Sequence, residues 1–71
     1  MIRIKEFTRS GNEPNVTLFA DTKAEVPATG AETKLLIEQW PEDMDLPIAS
    51  ALYTPDFDIA ILKSDDTWKW S

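Results

Sequence analysis

The sequence contains no cysteine and no histidine, and these absences remove the side chains that most often carry out catalysis and bind metals. Without cysteine there is neither a disulfide nor a thiolate, so the sequence does not indicate whether the protein resides in an oxidising or a reducing compartment. Without histidine the commonest general base and a leading zinc ligand are missing. The two glycines, Gly11 and Gly30, are too few for a glycine-rich phosphate-binding loop.

Long apolar runs are also missing. No segment approaches the roughly 18 apolar residues of a membrane-spanning helix. The segment Met1–Phe7 alternates apolar with charged residues and lacks the apolar stretch of a signal peptide. We therefore predict a soluble chain that does not enter the general secretory pathway. A 71-residue chain buries only a thin core, and such domains commonly gain stability from oligomerisation or a partner.

The net charge of −6 is concentrated in the second half of the chain. Residues 1–35 are balanced, whereas residues 36–71 set Lys63 and Lys69 against eight acidic side chains. Direct binding of nucleic acid is disfavoured because neutralising phosphates requires a basic patch. The acidic half is interpreted as a solvated surface, with an electrostatic docking face as the alternative.

Five prolines divide the chain into segments of strand length: Pro14, Pro27, Pro41, Pro47 and Pro55. Proline disfavours helix in the residue before it, so long helices are excluded. In the first segment Ile2 and Ile4 alternate with charged residues, which indicates a half-buried strand. A second strand is predicted over residues 15–20. We predict that the two form a hairpin through the polar residues 10–14.

Residues 30–40 permit two interpretations. Thr22 with Glu25, and again Thr29 with Glu32, have the spacing of a capping box at a helix start. As a helix, the second segment pairs apolar residues four apart, such as Leu36 with Trp40. As a strand, it places alternate residues on opposite faces, and periodicity cannot decide for so short a run. Because the neighbouring segments are strands, we favour the strand.

The C-terminal residues predict a second hairpin. Ile59 and Ile61 alternate with their neighbours, and a turn centred on residues 65–66 places Trp68 and Trp70 on the Ile59/Ile61 face. A looser four-residue loop is the alternative, because a two-residue turn requires positive φ at both positions. Residues 1–71 are thus predicted to form a single, mainly β domain. The sheet is expected to be a small antiparallel sheet, sandwich or barrel with at most one short helix; the alternative is an α+β fold with a helix near residues 30–40.

No pattern in the sequence predicts catalysis. The serines lie in turn, strand or terminal contexts, and the carboxylate clusters lack the spacing of a calcium-binding loop. We therefore predict no catalytic residue, no metal and no cofactor. Three tryptophans are many for so thin a core, so some aromatic side chains are expected to contact a partner. The candidate interface residues are Trp40, Tyr53, Trp68 and Trp70.

Several short motifs resemble small proteins encoded among the structural genes of tailed bacteriophages and prophages. They are residues 20–27 (ADTKAEVP), 29–31 (TGA), 51–54 (ALYT) and 60–68 (AILKSDDTW). In such proteins we expect a glycine where this chain has Ala49 or Asp66. The resemblance implies a capsid-associated protein, such as a head decoration or head-fibre base, located in the virion and in the host cytoplasm during assembly.

The leading hypothesis is therefore a non-enzymatic virion module that docks through an apolar, aromatic face. Its expected partners are capsid or other virion proteins, with a homo-oligomer or symmetric attachment and neither direct nucleic-acid nor membrane binding. The alternative is an acidic inhibitor that mimics nucleic acid in the basic groove of a host factor. The acidic residues Glu42, Asp43 and Asp45 would then carry the binding.

Overall fold

The computed structural model describes residues 1–10, 13–47 and 49–71. The strands are β1 (Arg3–Ser10), β2 (Glu13–Phe19), β3 (Ala51–Tyr53), β4 (Ile59–Leu62) and β5 (Trp68–Trp70). Between β2 and β3, the described residues form a 3-10 turn (Lys23–Glu25) and a helix, α1 (Gly30–Leu36). None of the helices in these three ranges is long and apolar enough to cross a bilayer.

The strands form one open sheet in the order β1-β2-β3-β4-β5. The prediction of a mainly β domain with at most one short helix is confirmed, but the predicted antiparallel sheet is in fact mixed. Three of the strand pairs are antiparallel, but β2 and β3 are parallel, so the sheet is mixed. A parallel pair requires a crossover connection, because the chain must return to the end of the sheet where β2 began. Here the crossover is residues 20–50, which include α1.

The predicted N-terminal hairpin is confirmed, but its strands are longer than predicted, because Ser10, Glu13 and Pro14 of the predicted loop belong to the paired strands. β1 and β2 pair antiparallel from Arg3↔Phe19 to Ser10↔Glu13, with an irregularity in the pairing at Lys5. Gly11 and Asn12, within the predicted turn, lie outside the described residues.

One face of the sheet, the covered face, packs beneath the crossover. A row of side chains runs across all five strands on this face: Ile4, Leu18, Leu52, Ala60 and Trp70. Leu18, Leu52 and Ala60 in this row are fully buried. Ile37 and Trp40 of the crossover complete the core from the other side. The thin core predicted from chain length is therefore one layer of side chains between the sheet and its crossover.

The interpretation of residues 30–40 as a strand is wrong. Residues Gly30–Leu36 form α1, as the capping spacing indicated. The helix ends at Ile37, whose backbone is extended, and a turn follows in which Gln39 has φ of 66°. Thr29 is the N-cap residue, and its side chain accepts a hydrogen bond from the Glu32 amide (3.2 Å). The prediction assumed that this segment is a strand because its neighbours in the sequence are strands. In the structure the segment belongs to the crossover that covers the sheet.

The predicted pairing of β4 with β5 is displaced by one residue. Leu62 faces Trp68 and Ala60 faces Trp70, so both tryptophans lie on the covered face and Ile61 lies on the opposite face with Lys69. The displacement follows from the turn, in which the Lys63 amide donates to the Thr67 carbonyl (2.8 Å) and three residues lie between them. The third of these, Asp66, has φ of 68°, the left-handed conformation that closes such a loop.

The turn between β3 and β4 has the same geometry. The Thr54 amide donates to the Asp58 carbonyl (3.1 Å), and the Phe57 amide donates to the Thr54 carbonyl (3.1 Å). The left-handed position is held by Phe57, with φ of 65° and 92% of its surface exposed. A bulky residue is uncommon in this conformation, for which glycine and asparagine are better suited.

Candidate docking site

Helix α1 directs its leucines outward. Gly30 and Thr33 are its buried residues, whereas Leu35 is 84% exposed and Leu36 is 53% exposed. A surface helix of a small domain ordinarily turns its apolar side toward the core and its polar side toward water. In α1 the small and polar residues meet the sheet. We refer to Ala31, Leu35 and Leu36 as the helix surface.

The first turn of α1 is fixed to the β4–β5 turn through Asp66. The Gly30 amide donates to the Asp66 carbonyl (2.9 Å), and the Ala31 amide donates to Asp66 Oδ2 (3.2 Å). Together with Thr29, these acceptors satisfy amides that a helix start leaves unpaired. A Cβ at position 30 would lie 2.5 Å from Asp66 Oδ1 and 2.9 Å from a Leu62 methyl carbon, so glycine permits the close approach. Asp66, whose backbone is in the left-handed conformation, thus fixes the position of the first turn of α1 relative to the β4–β5 turn.

Thr33 joins α1 to the sheet from the middle of the helix. Its side chain is buried, and its hydroxyl donates to the Thr29 carbonyl (2.8 Å). The same oxygen accepts a hydrogen bond from Trp68 Nε1 (2.8 Å). This polar contact sets which side of the helix faces the sheet. The leucines two and three positions later are consequently directed away from it.

The loop before β3 is anchored next to the helix by Trp40. This side chain is 9% exposed, and its Nε1 donates to the Met44 carbonyl (2.7 Å). The Met44 amide donates to the Pro41 carbonyl (3.2 Å), which closes a turn. The partly buried Met44 and Leu46 pack against the core.

A groove of about 780 Å³ lies between α1 and this loop. Apolar side chains supply most of its walls: Ala31, Leu35, Ile37, Trp40 and Leu46. Its charged residues are Lys34, Glu42, Asp45 and Asp66. Lys34 Nζ lies 3.6 Å from Asp45 Oδ1, so the one ammonium group already has a carboxylate partner. The lining of the groove is therefore mainly apolar and includes several carboxylates. The groove is continuous with the helix surface.

The neighbouring turn carries a carboxylate with a perturbed pKa. Asp65 Oδ1 accepts hydrogen bonds from the Thr67 hydroxyl (2.5 Å) and the Thr67 amide (3.1 Å). These bonds, the hydroxyl first, hold the pKa of Asp65 below its ordinary value. Asp65 is solvent-exposed. The two hydrogen bonds that lower its pKa belong to the turn that positions Asp66.

The sheet face opposite the crossover, the open face, has a different chemistry. Tyr53 and Phe19 lie on it in neighbouring strands, each beneath a cation. Lys5 Nζ is 4.7 Å from the centre of the Tyr53 ring, and the Arg3 guanidinium carbon is 5.2 Å from that of Phe19. Cations at these distances are attracted to the ring faces. Cations of the same molecule thus cover both rings.

The four predicted interface residues do not share a surface. Trp40 is buried in the core, Tyr53 lies on the open face under Lys5, and Trp68 and Trp70 are half-buried on the covered face. Lys23 Nζ lies 4.8 Å from the centre of the Trp70 ring. Sequence reasoning missed Leu35, Leu36 and the groove, although the capping boxes indicated the helix that carries them.

In the described ranges, no group of three or more acidic side chains is arranged to hold a metal ion. Compared with known proteins, the chain matches no family model, no curated sequence and no solved structure.

Proposed function

We propose that this chain is a non-catalytic docking module whose binding surface is the helix surface together with the adjacent groove. The observation that carries the proposal is the inverted orientation of α1, which leaves Leu35 84% exposed while Thr33 is buried. Burying a leucine side chain contributes about 1.5–3 kcal/mol. Because Leu35 is exposed, its burial does not contribute to the stability of the isolated domain. A partner that covers Leu35 would gain this contribution in the free energy of binding.

The arrangement is suited to binding because its parts are held in place before a partner arrives. Asp66 fixes the start of α1, Thr33 fixes its rotation, and Trp40 anchors the opposite wall of the groove. A surface that is already ordered loses less conformational entropy when it binds. An apolar segment seated in a groove beside a helix is a recurrent mode of protein recognition.

We propose further that the partner is a structural protein of a bacteriophage particle. This part rests on the resemblance of residues 20–27, 29–31, 51–54 and 60–68 to small phage structural proteins. A small domain with a preformed apolar surface is suited to repeated attachment on a symmetric shell. The chain would then reside in the virion, and in the host cytoplasm during assembly.

The test is photo-crosslinking in the cells that naturally produce the chain. A photoreactive amino acid replaces Leu35, and a control replaces Ile61, which is 45% exposed on the open face. We expect one discrete adduct from position 35, containing a capsid or other virion protein, and little from position 61. An adduct with a protein outside the particle would contradict the phage assignment and retain the docking proposal. No adduct at position 35 would contradict both.

The acidic inhibitor is the second candidate, favoured by the exposure of Glu42, Asp43 and Asp45. Asp45 is fully exposed, so these carboxylates are accessible to a basic groove on another protein. In the same experiment this candidate predicts an adduct with a DNA-binding protein of the host. The identity of the adduct therefore separates the two candidates.

A further inference from the structure

The net negative charge of the molecule is concentrated around the proposed docking surface. Residues 30–47, which form α1 and the groove loop, contain five acidic side chains and only one basic side chain, Lys34. The net charge of the whole chain is −6, so most of it originates in this segment. A surface that is both apolar and acidic favours a partner of opposite charge.

The single lysine offsets only one of the five acidic charges in this segment. Lys34 lies 3.6 Å from Asp45 and is only 22% exposed, whereas the Asp45 side chain is fully exposed. Glu42 and Asp66 also line the groove, and Asp43, next to Glu42 in the sequence, is exposed. A segment entering the groove would therefore meet carboxylates beside the apolar walls.

We infer that the occupant of the groove is a segment of another protein in which apolar side chains stand next to lysine or arginine. This inference rests on the proposed docking function and specifies its partner. The apolar side chains would cover Leu35 and Trp40, and the basic groups would reach Glu42 and Asp45. Charges of opposite sign would also accelerate association at low ionic strength.

A second copy of the chain is a poorer match. The open face carries Arg3 and Lys5, but both cations lie over aromatic rings of the same molecule. Ile61 lies beside Lys69 on this face, but both belong to strands of the sheet, so they do not form a separate segment that can enter the groove. The exposed Phe57 is flanked by Asp56 and Asp58, which would bring more carboxylates to an acidic groove.

Two short synthetic peptides test the inference. Both contain leucine at the same amphipathic spacing, and they differ only in having lysine or glutamate at every other position. Binding to the full chain is followed by amide NMR shifts at low and at high salt. We expect the lysine peptide to bind at least about tenfold more tightly at low salt, with an advantage that salt reduces. The shifts are expected to be confined to residues 30–47 and Asp66, which line or adjoin the groove.

Two variants of the protein provide the matched comparison. Leu35→Gln is expected to weaken binding of the lysine peptide by about tenfold, because the leucine contact is lost. Phe57→Asn removes a larger exposed apolar group at the other end of β4, in a backbone conformation that asparagine accepts, and is expected to leave binding unchanged.

Three outcomes would overturn the inference. If the glutamate peptide binds residues 30–47 equally well, the surface docks apolar segments without regard to charge, and the proposed function survives. If neither peptide shifts these residues, the partner is not of this chemistry, and crosslinking at position 35 decides the proposed function separately. If the free protein self-associates and Leu35→Gln makes it monomeric, a second copy is the occupant.

Discussion

Replacing Trp40 with alanine is expected to lower the free energy of unfolding by about 3–5 kcal/mol, because a large core side chain is removed. Trp40 is 9% exposed and packs with Ile37 in the single layer of side chains beneath the crossover. A chain of this length has a total stability of about 4–10 kcal/mol. The loss is therefore a large share of the total stability, and the midpoint of chemical denaturation is expected to fall markedly.

Trp40→Phe is the matched control. It retains an aromatic ring in the core and removes the Nε1 donor that bonds the Met44 carbonyl (2.7 Å). The expected loss is about 1 kcal/mol for one hydrogen bond, with a further small contribution from the reduced size. A loss below about 1 kcal/mol for Trp40→Ala would contradict the buried position. It would instead favour the sequence-based prediction that this tryptophan is an exposed anchor.

The second large effect is expected at Thr33. Thr33→Val preserves the shape of the side chain but removes the hydroxyl group. This hydroxyl accepts a hydrogen bond from Trp68 Nε1 (2.8 Å) and donates one to the Thr29 carbonyl (2.8 Å). Leaving a buried donor without a partner costs about 1–3 kcal/mol. We expect the midpoint of denaturant unfolding to fall accordingly, with little change in the slope of the transition.

A double-mutant cycle isolates this contact. In a Trp68→Phe background the indole donor is absent, so Thr33→Val is expected to cost clearly less than in the original chain. An equal cost in both backgrounds would mean that Thr33 stabilises the protein through packing or through Thr29 alone. In that case the hydrogen bond to Trp68 would not determine which side of α1 faces the sheet.

Local signals predicted local structure well. The alternation of Ile2 and Ile4 with charged residues, and of Val16 and Leu18 with their neighbours, identified the first hairpin, and those four side chains are buried or half-buried. The capping spacing of Thr29 and Glu32 correctly marked a helix start. These patterns succeed because each depends on bonds or faces within a few residues.

The orientation of α1 could not be predicted in the same way. A pattern of apolar residues places Leu35 and Leu36 in the core, because burial of leucine is the usual source of helix stability. In the structure a single buried hydroxyl, that of Thr33, faces the sheet because Trp68 offers a donor there. That partner is 35 residues away in sequence, so no local window contains the information.

The turn that holds the helix has a similar explanation. Asp66 was expected to be a less suitable turn residue than glycine, and the two-residue turn built around it displaced the predicted register by one position. In the structure its carbonyl and carboxylate both accept hydrogen bonds from α1. A side chain at position 66 makes the left-handed turn conformation costly, but the Asp66 carboxylate also accepts a hydrogen bond that fixes α1. The hydrogen bond is evident only in the tertiary structure.

The exposure of Leu35 is the central claim, and the stability of Leu35→Gln tests it most directly. Glutamine has nearly the helix propensity of leucine, so the substitution changes little besides the apolar surface. If Leu35 faces solvent, the free energy of unfolding measured by chemical denaturation should change by no more than about 0.5 kcal/mol. A loss of about 2 kcal/mol or more would place Leu35 in the core and contradict the proposed docking surface.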